Sequence, residues 1–237
     1  FRVTNSGENT SRRHTSVRSI DLPSKEDALA LFRDYLENSD FHVANILHPP
    51  TVQAMVVDVY TQLRRGQKVD LGAAAFVLSF CAASAYFWDL DFPAQFNFSS
   101  EDSAAAQSHA WKSAAWDLLD QAQRSASNTL HLIQARMILG DLFYNIEGVT
   151  SRFRYLHSCA RAAAHEMRLH LVDFPGSGPG DSPLLREMKR RVWWYLAATD
   201  WYVCPLLSSS CIILSFPFLR ISREILLKHI MVSNITD

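Results

Sequence analysis

Val52, Met55, Val56, Val59 and Leu63 stand at i, i+3, i+4, i+7 and i+11, with mostly polar residues between them. That spacing lays one apolar stripe along a helix. His48-Pro49-Pro50 punctuates the chain before the stripe. Arg64-Arg65-Gly66 closes it, which suits a helix C-terminus.

Upstream, Ser24 is followed three residues later by Asp27, a pattern resembling a capping box, and Leu29, Phe32 and Leu36 then recur at helical spacing. Asn38 to Asp40 reads as the stop. Leu71 to Leu90 is apolar at nearly every position, interrupted by Ser79 and Ser84. A helix apolar all round lies in a large core or in a membrane. Its small residues and the amphipathic neighbours favour a buried central helix. Phe92 to Ser100 reads as a loop, and Trp111, Ala114, Ala115, Leu118 and Leu119 as another stripe.

Two further helices are expected over Asn128 to Ile146 and Ser151 to Leu171. In the second, Phe153, Leu156, Ala160, Ala163 and Met167 mark the buried side. Pro175-Gly176-Ser177-Gly178-Pro179-Gly180 is a break. Ser182 then reads as an N-cap with Pro183 at the first helical position, opening a last helix to about Tyr202. No segment alternates strongly enough to predict a strand. The pattern therefore predicts an all-α array of packed antiparallel helices joined by short connections.

Composition agrees. Of 237 residues, 48% are hydrophobic and 20% charged, which supports a sizeable core and argues against disorder. The net charge of −1 gives no overall basic character of the kind a free-standing nucleic-acid binder shows. Cys81, Cys159, Cys204 and Cys211 form no CxxC pair and fit no zinc spacing. Cys81 and Cys159 lie in apolar or Ala-rich helical patterns and read as small buried residues, and reduced thiols in an intracellular compartment fit best. Residues 1–20 are polar, carry Arg12, Arg13 and Arg18, and lack the apolar run of a signal peptide; they read as a disordered linker.

The candidate chemistry is thin. His165-Glu166 invites comparison with a zinc-protease helix, but the next histidine, His170, is five residues on. Five steps of a regular helix turn roughly 500°, so the rings point about 140° apart. Gly176 to Gly180 lacks the preceding strand and the GK[ST] ending of a phosphate-binding loop. No GxSxG elbow occurs, and Asp89 and Asp91 sit among aromatic residues at a helix end. Arg124, Arg136, Arg152, Arg154, Arg161 and Arg168 spread over three helices and read as solvated faces and salt bridges. No catalytic, cofactor-binding or metal-ligating residue is assigned, and no enzyme activity is expected.

The sharpest local pattern is Glu187-Met188-Lys189-Arg190-Arg191-Val192-Trp193-Trp194, ending at Asp200. Glu187 and Arg191 are spaced to pair along a helix. Trp193 and Trp194 point about 100° apart, so at least one faces inward. The stretch resembles the E-x-x-[RK]-R-x-W-W-x-x-x-x-x-D signature of the fungal-specific transcription factor domain, the middle homology region of zinc-cluster regulators of the xylanolytic-activator type. Glu187, Arg190, Arg191, Trp193, Trp194 and Asp200 occupy its positions. In the same order, Leu31-Phe32-Arg33-Asp34-Tyr35 and Ile46-Leu47-His48-Pro49-Pro50-Thr51 resemble the family's opening. Ala73 to Trp88 resembles its small-residue helix, and Leu130 to Leu139, around Gln134, its next segment. Cys159-Ala160-Arg161-Ala162-Ala163, closing at Leu169-His170, resembles the one after. The resemblance spans roughly Leu22 to Trp201. It departs at Arg168, where the family usually has a glycine before Leu-His.

The resemblance implies a regulator of transcription by RNA polymerase II in the nucleus. Its DNA contact and its zinc would belong to an N-terminal Zn2Cys6 module absent from this chain. It further implies a homodimer, and a partner in the transcription machinery or a co-regulator. A membrane partner is not expected. The regulatory domain is expected over residues 21–202. From Val203 the helical stripe is lost, and residues 203–237 are expected to be an aberrant tail. Val203-Cys204 can be encoded by GTATGT, a common fungal 5′ splice sequence, so an intron translated in frame would produce such a tail over residues 203–226 and truncate the domain. The rival readings are a helical enzyme or small-molecule binder, and a membrane protein built on Ala73 to Trp88 and Val203 to Leu219.

Overall fold

The computed structural model describes residues 2–5, 19–37, 45–89, 94–124, 128–174 and 180–207. The fold is all-α, and among the described residues it holds seven α-helices. The chain divides into two compact units, residues 1–168 and residues 169–237.

In the first unit, α1 (Lys25–Glu37) starts where the capping pattern puts it: Ser24 Oγ accepts the Asp27 N–H at 3.1 Å. Helix α2 (Pro49–Arg64) buries Val52, Val56 and Val59 of the expected stripe and adds Tyr60, whose hydroxyl donates to the Pro23 carbonyl at 2.7 Å. Its end is a Schellman turn. Gly66 has φ +65°, its N–H donates to the Leu63 carbonyl, and the Gln67 N–H donates to that of Gln62.

Helix α3 (Leu71–Tyr86) is the central helix that its all-round apolar pattern predicts. Gly72 to Ala83 are all buried, and α3 packs on α1 and α2, on α4 (Glu101–Gln123) and on α5 (Leu130–Glu147). Asp70, Ser100 and Thr129 cap α3, α4 and α5 through their side-chain oxygens. Gly72 lets α3 approach the start of α5 closely, because a Cβ there would sit 3.2 Å from Leu132 Cβ and 3.3 Å from Thr129 Oγ1. No helix among the described residues is long and apolar enough to cross a membrane.

Helix α6 (Ser151–Glu166) packs on α5 through Phe153, Leu156, Ala160, Ala163 and Ala164. It is shorter than expected. Arg168 takes φ +56°, a left-handed conformation that ends the helix. Leu169–Leu171 then form a separate 3-10 turn, so the helix predicted to Leu171 stops at Glu166. Half-buried Met167 is its C-cap.

A second departure lies in the expected linker. Arg2–Asn5 (β1) pairs in parallel with Ser19–Leu22 (β2), aligning Val3 with Ile20. β-branched residues at Val3, Thr4 and Ile20 favour extended backbone, but four-residue strands are too short to show a period of two.

The second unit holds the 3-10 turn and α7 (Pro183–Leu207), which pack together. Met188, Val192, Trp193, Leu196, Ala197 and Asp200 form its buried side. Ser182 Oγ accepts the Leu185 N–H at 3.1 Å, as the N-cap reading requires. The helix passes the expected end at Tyr202 and includes Pro205. A proline so near the end removes one backbone donor without preventing the last turn. The remainder of the expected tail, from Ser208, lies outside the described residues, as do Asp91, Gly176 and Gly178.

Candidate functional site

The charged first half of α7 is an ion-pair clasp. Glu187 Oε1 accepts from Arg191 Nε at 2.9 Å, the i, i+4 pair that the spacing predicts. Its other oxygen accepts from Arg190. Arg190 also reaches Asp173, seventeen residues earlier, with Nε 3.0 Å and 3.1 Å from the two carboxylate oxygens. One residue before, Lys189 Nζ donates to Asp181 Oδ2 at 2.7 Å. Asp173 and Asp181 flank the Pro175 to Gly180 connector, so neighbouring residues of α7 grip its two ends.

The protonation of these groups follows from the contacts. The Arg190 hydrogen bond holds the Asp173 carboxyl below the usual range. Burial pushes Glu187 up, but the Arg191 and Arg190 hydrogen bonds outweigh it and leave the carboxyl lowered. Asp173, followed by Glu187, raises Arg190 further.

One turn on, the tryptophans divide their roles. Trp193 is buried and Trp194 half-buried. The Trp193 ring lies 5.7 Å, centroid to centroid, from that of His170. This contact joins the paired-tryptophan segment to the Leu169-His170 segment. Asp200, about three and a half turns beyond Glu187, is buried.

In the first unit, other signature segments meet in the same way. Asp34, 3% exposed, accepts the Gln95 N–H at 2.7 Å and the Phe96 N–H at 2.9 Å, one on each oxygen. Gln134, also 3% exposed, donates to the Ile46 carbonyl at 2.7 Å. Ala160 and Ala163 of α6 are buried, where small side chains allow close packing.

Arg136 corrects an expectation. It is 2% exposed and not on a solvated face, because α5 is buried on almost every side. Its guanidinium donates to Gln123 Oε1 at 2.6 Å and to the Cys159 carbonyl at 3.4 Å, and burial lowers its pKa. Arg124 and Arg152 do make surface pairs, with Asp120 and Glu147. The regular-helix geometry assumed for His165 and His170 is replaced by the break at Arg168. Among the described residues no group of three or more His, Cys, Asp or Glu could hold a metal ion. Cys81 is buried in α3 and Cys159 half-buried in α6.

Sequence reasoning missed Asp173, Asp181 and Lys189. Lys189 lies inside the quoted signature, but the aspartates lie outside it and no spacing rule links them to α7. Arg168 carried a signal, the absent glycine, whose meaning is the left-handed backbone.

Within each unit these contacts join segments on which the resemblance rests, and the comparison with family models decides it. The model of the fungal specific transcription factor domain matches residues 33–211, more than half of the chain. The chain belongs to that family. The match of this fungal transcription factor domain starts in α1 and runs past the expected boundary at residue 202, as α7 does. The chain is 40% identical over 182 residues to transcription factor TAS2 of Pyricularia oryzae, covering 76% of this chain and 24% of that protein. It is 34% identical over 207 residues to the probable transcription factor lepB of Aspergillus flavus, covering 85% and 36%. Over 195 residues it is 29% identical to the agnestins biosynthesis cluster transcription factor AgnL11 of Paecilomyces divaricatus, covering 80% and 28%. The domain thus spans about a quarter to a third of the length of these relatives. No solved structure matches it.

Proposed function

We propose that this chain is the regulatory region of a fungal zinc-cluster transcription factor that acts in the nucleus on transcription by RNA polymerase II. The family match over residues 33–211 carries the reading. The named relatives are transcription factors, several times longer than the matched region. The net charge of −1 supports assigning DNA contact to a separate basic Zn2Cys6 module, which would also hold the zinc.

In this reading the helical array is a scaffold without a reaction step. It couples a signal or a co-regulator to the activating part of the protein, and the full protein acts as a homodimer. The test is a transcription reporter. The chain, fused between a heterologous DNA-binding domain and an activation segment, should change reporter output at equal protein level. Output identical to that of a fusion with an unrelated helical domain would defeat the proposal. So would a full-length coding sequence without a six-cysteine cluster.

A further inference from the structure

Arg136 is a buried cation without a counter-charge. Its guanidinium donates to the Gln123 side-chain carbonyl and to the Cys159 backbone carbonyl, both neutral. Among the described residues it pairs with no carboxylate. The acids along the same helices are engaged elsewhere: Asp120 with Arg124, Glu166 with Asn128 and Glu147 with Arg152. Burial lowers the Arg136 pKa by more than Cys159, Tyr155 and Glu166 raise it. A buried charge is costly unless an opposite charge meets it.

Three helices of the first unit form a seam beside this residue. Trp116 and Gln123 lie two turns apart on α4, Phe143 lies two turns beyond Arg136 on α5, and Tyr155 and Cys159 lie one turn apart on α6. Trp116 joins the three, with its ring 5.6 Å from that of Phe143 and 5.5 Å from that of Tyr155. The seam meets solvent at Tyr155, which is 41% exposed, at half-buried Trp116 and Cys159, and at exposed Gln123. Gln123 is the last residue of α4, so its side chain can turn outward and uncover the guanidinium. At the other end, Lys112 Nζ and Arg152 Cζ lie 5.5 Å and 5.6 Å from the Phe143 ring centroid.

We propose that this seam binds an aromatic carboxylic acid, whose carboxylate displaces the Gln123 amide from Arg136 and whose ring stacks on Tyr155 and Trp116. A carboxylate gives the guanidinium the charged, two-pronged partner that an amide oxygen does not. The exposed rings favour an aromatic body, and Lys112 and Arg152 favour an anion. The proposal gives a chemistry to the signal in the proposed function and rests on that reading only for its purpose. Binding is measured on the chain alone, without DNA or a reporter, so the two can fail separately.

The probe is a fluorinated naphthoate titrated into the full chain and followed by fluorine NMR line width. A Kd of about 100 µM is expected for a ligand of this size. The neutral naphthamide should bind at least about tenfold more weakly, because it lacks the charge that Arg136 needs. Gln123→Glu supplies a carboxylate from the chain itself and should weaken naphthoate binding at least about tenfold. Tyr155→Ser should weaken it about fivefold by removing an exposed ring. Gln123 and Tyr155 are exposed, and an unaltered circular dichroism spectrum shows that each variant is folded. Equal binding of the amide, undiminished affinity in folded Gln123→Glu, or no binding of naphthoate at millimolar concentration would overturn the proposal.

Discussion

Gln134 in α5 donates its side-chain amide to the backbone carbonyl of Ile46, a residue 88 positions away and just ahead of α2. The bond is buried at 2.7 Å, and Gln134 Oε1 faces His131 Nδ1 at 3.3 Å. Replacing Gln134 by Leu leaves the Ile46 carbonyl buried without its donor. A stability loss of about 1–3 kcal/mol is expected, read from urea unfolding midpoints at unchanged slope. Gln134→Glu should cost at least as much at neutral pH, because it adds a buried charge and removes the donor.

Asp34 should respond to a change of a single atom. Both its oxygens accept backbone N–H groups, from Gln95 and Phe96. In Asp34→Asn one of these N–H groups faces an amide NH2, and the remaining bond loses its charge assistance. The expected loss is about 2 kcal/mol, measured by chemical denaturation. Amide hydrogen exchange at Gln95 and Phe96 should accelerate in the same variant.

Arg168 predicts a gain. Its φ of +56° is costly for a residue with a Cβ, by about 1–2 kcal/mol. Glycine removes that strain but adds freedom to the unfolded chain. Arg168→Gly should therefore stabilise the protein by about 0.5–1 kcal/mol net, and Arg168→Val should destabilise it. Thermal unfolding midpoints of the two variants should move in opposite directions.

Acid should loosen the clasp on α7. Asp173 and Glu187 sit below their ordinary values of 3.8 and 4.5, so the unfolded chain binds more protons than the folded one on mild acidification. Their contribution is complete above the ordinary carboxylate range and is lost as pH falls through the lowered folded values. Carboxyl carbon NMR titration should show both midpoints rising in Arg190→Gln. Since the side chains are 56% and 40% exposed, the accompanying stability change should be small and salt-sensitive.

The helices were legible because each carries a local signal. Ser24 and Ser182 mark helix starts from the sequence alone, and each accepts an N–H three residues on; Asp70, Ser100 and Thr129 do the same in the structure without having been read as caps. The Glu187–Arg191 pair was legible for the same reason. The Arg190–Asp173 and Lys189–Asp181 pairs were not, because neither aspartate stands at a helical spacing from its partner. The burial of Arg136 was hidden by its charge, and only the packing of α4 and α6 against α5 explains it. Beyond Tyr202 the pattern misled, since Pro205 marks a helix end when read alone but sits inside the last turn of α7.

The enclosure of α3 limits how this protein can change. From Gly72 to Ala83 every position faces neighbours, so no side of the helix is free to drift in sequence. A saturation scan there should show intolerance at successive positions, without the three-to-four-residue rhythm that half-exposed α6 should give. Variation among relatives must then collect on the outer helices, leaving the innermost rod as the slowest-changing part of the scaffold.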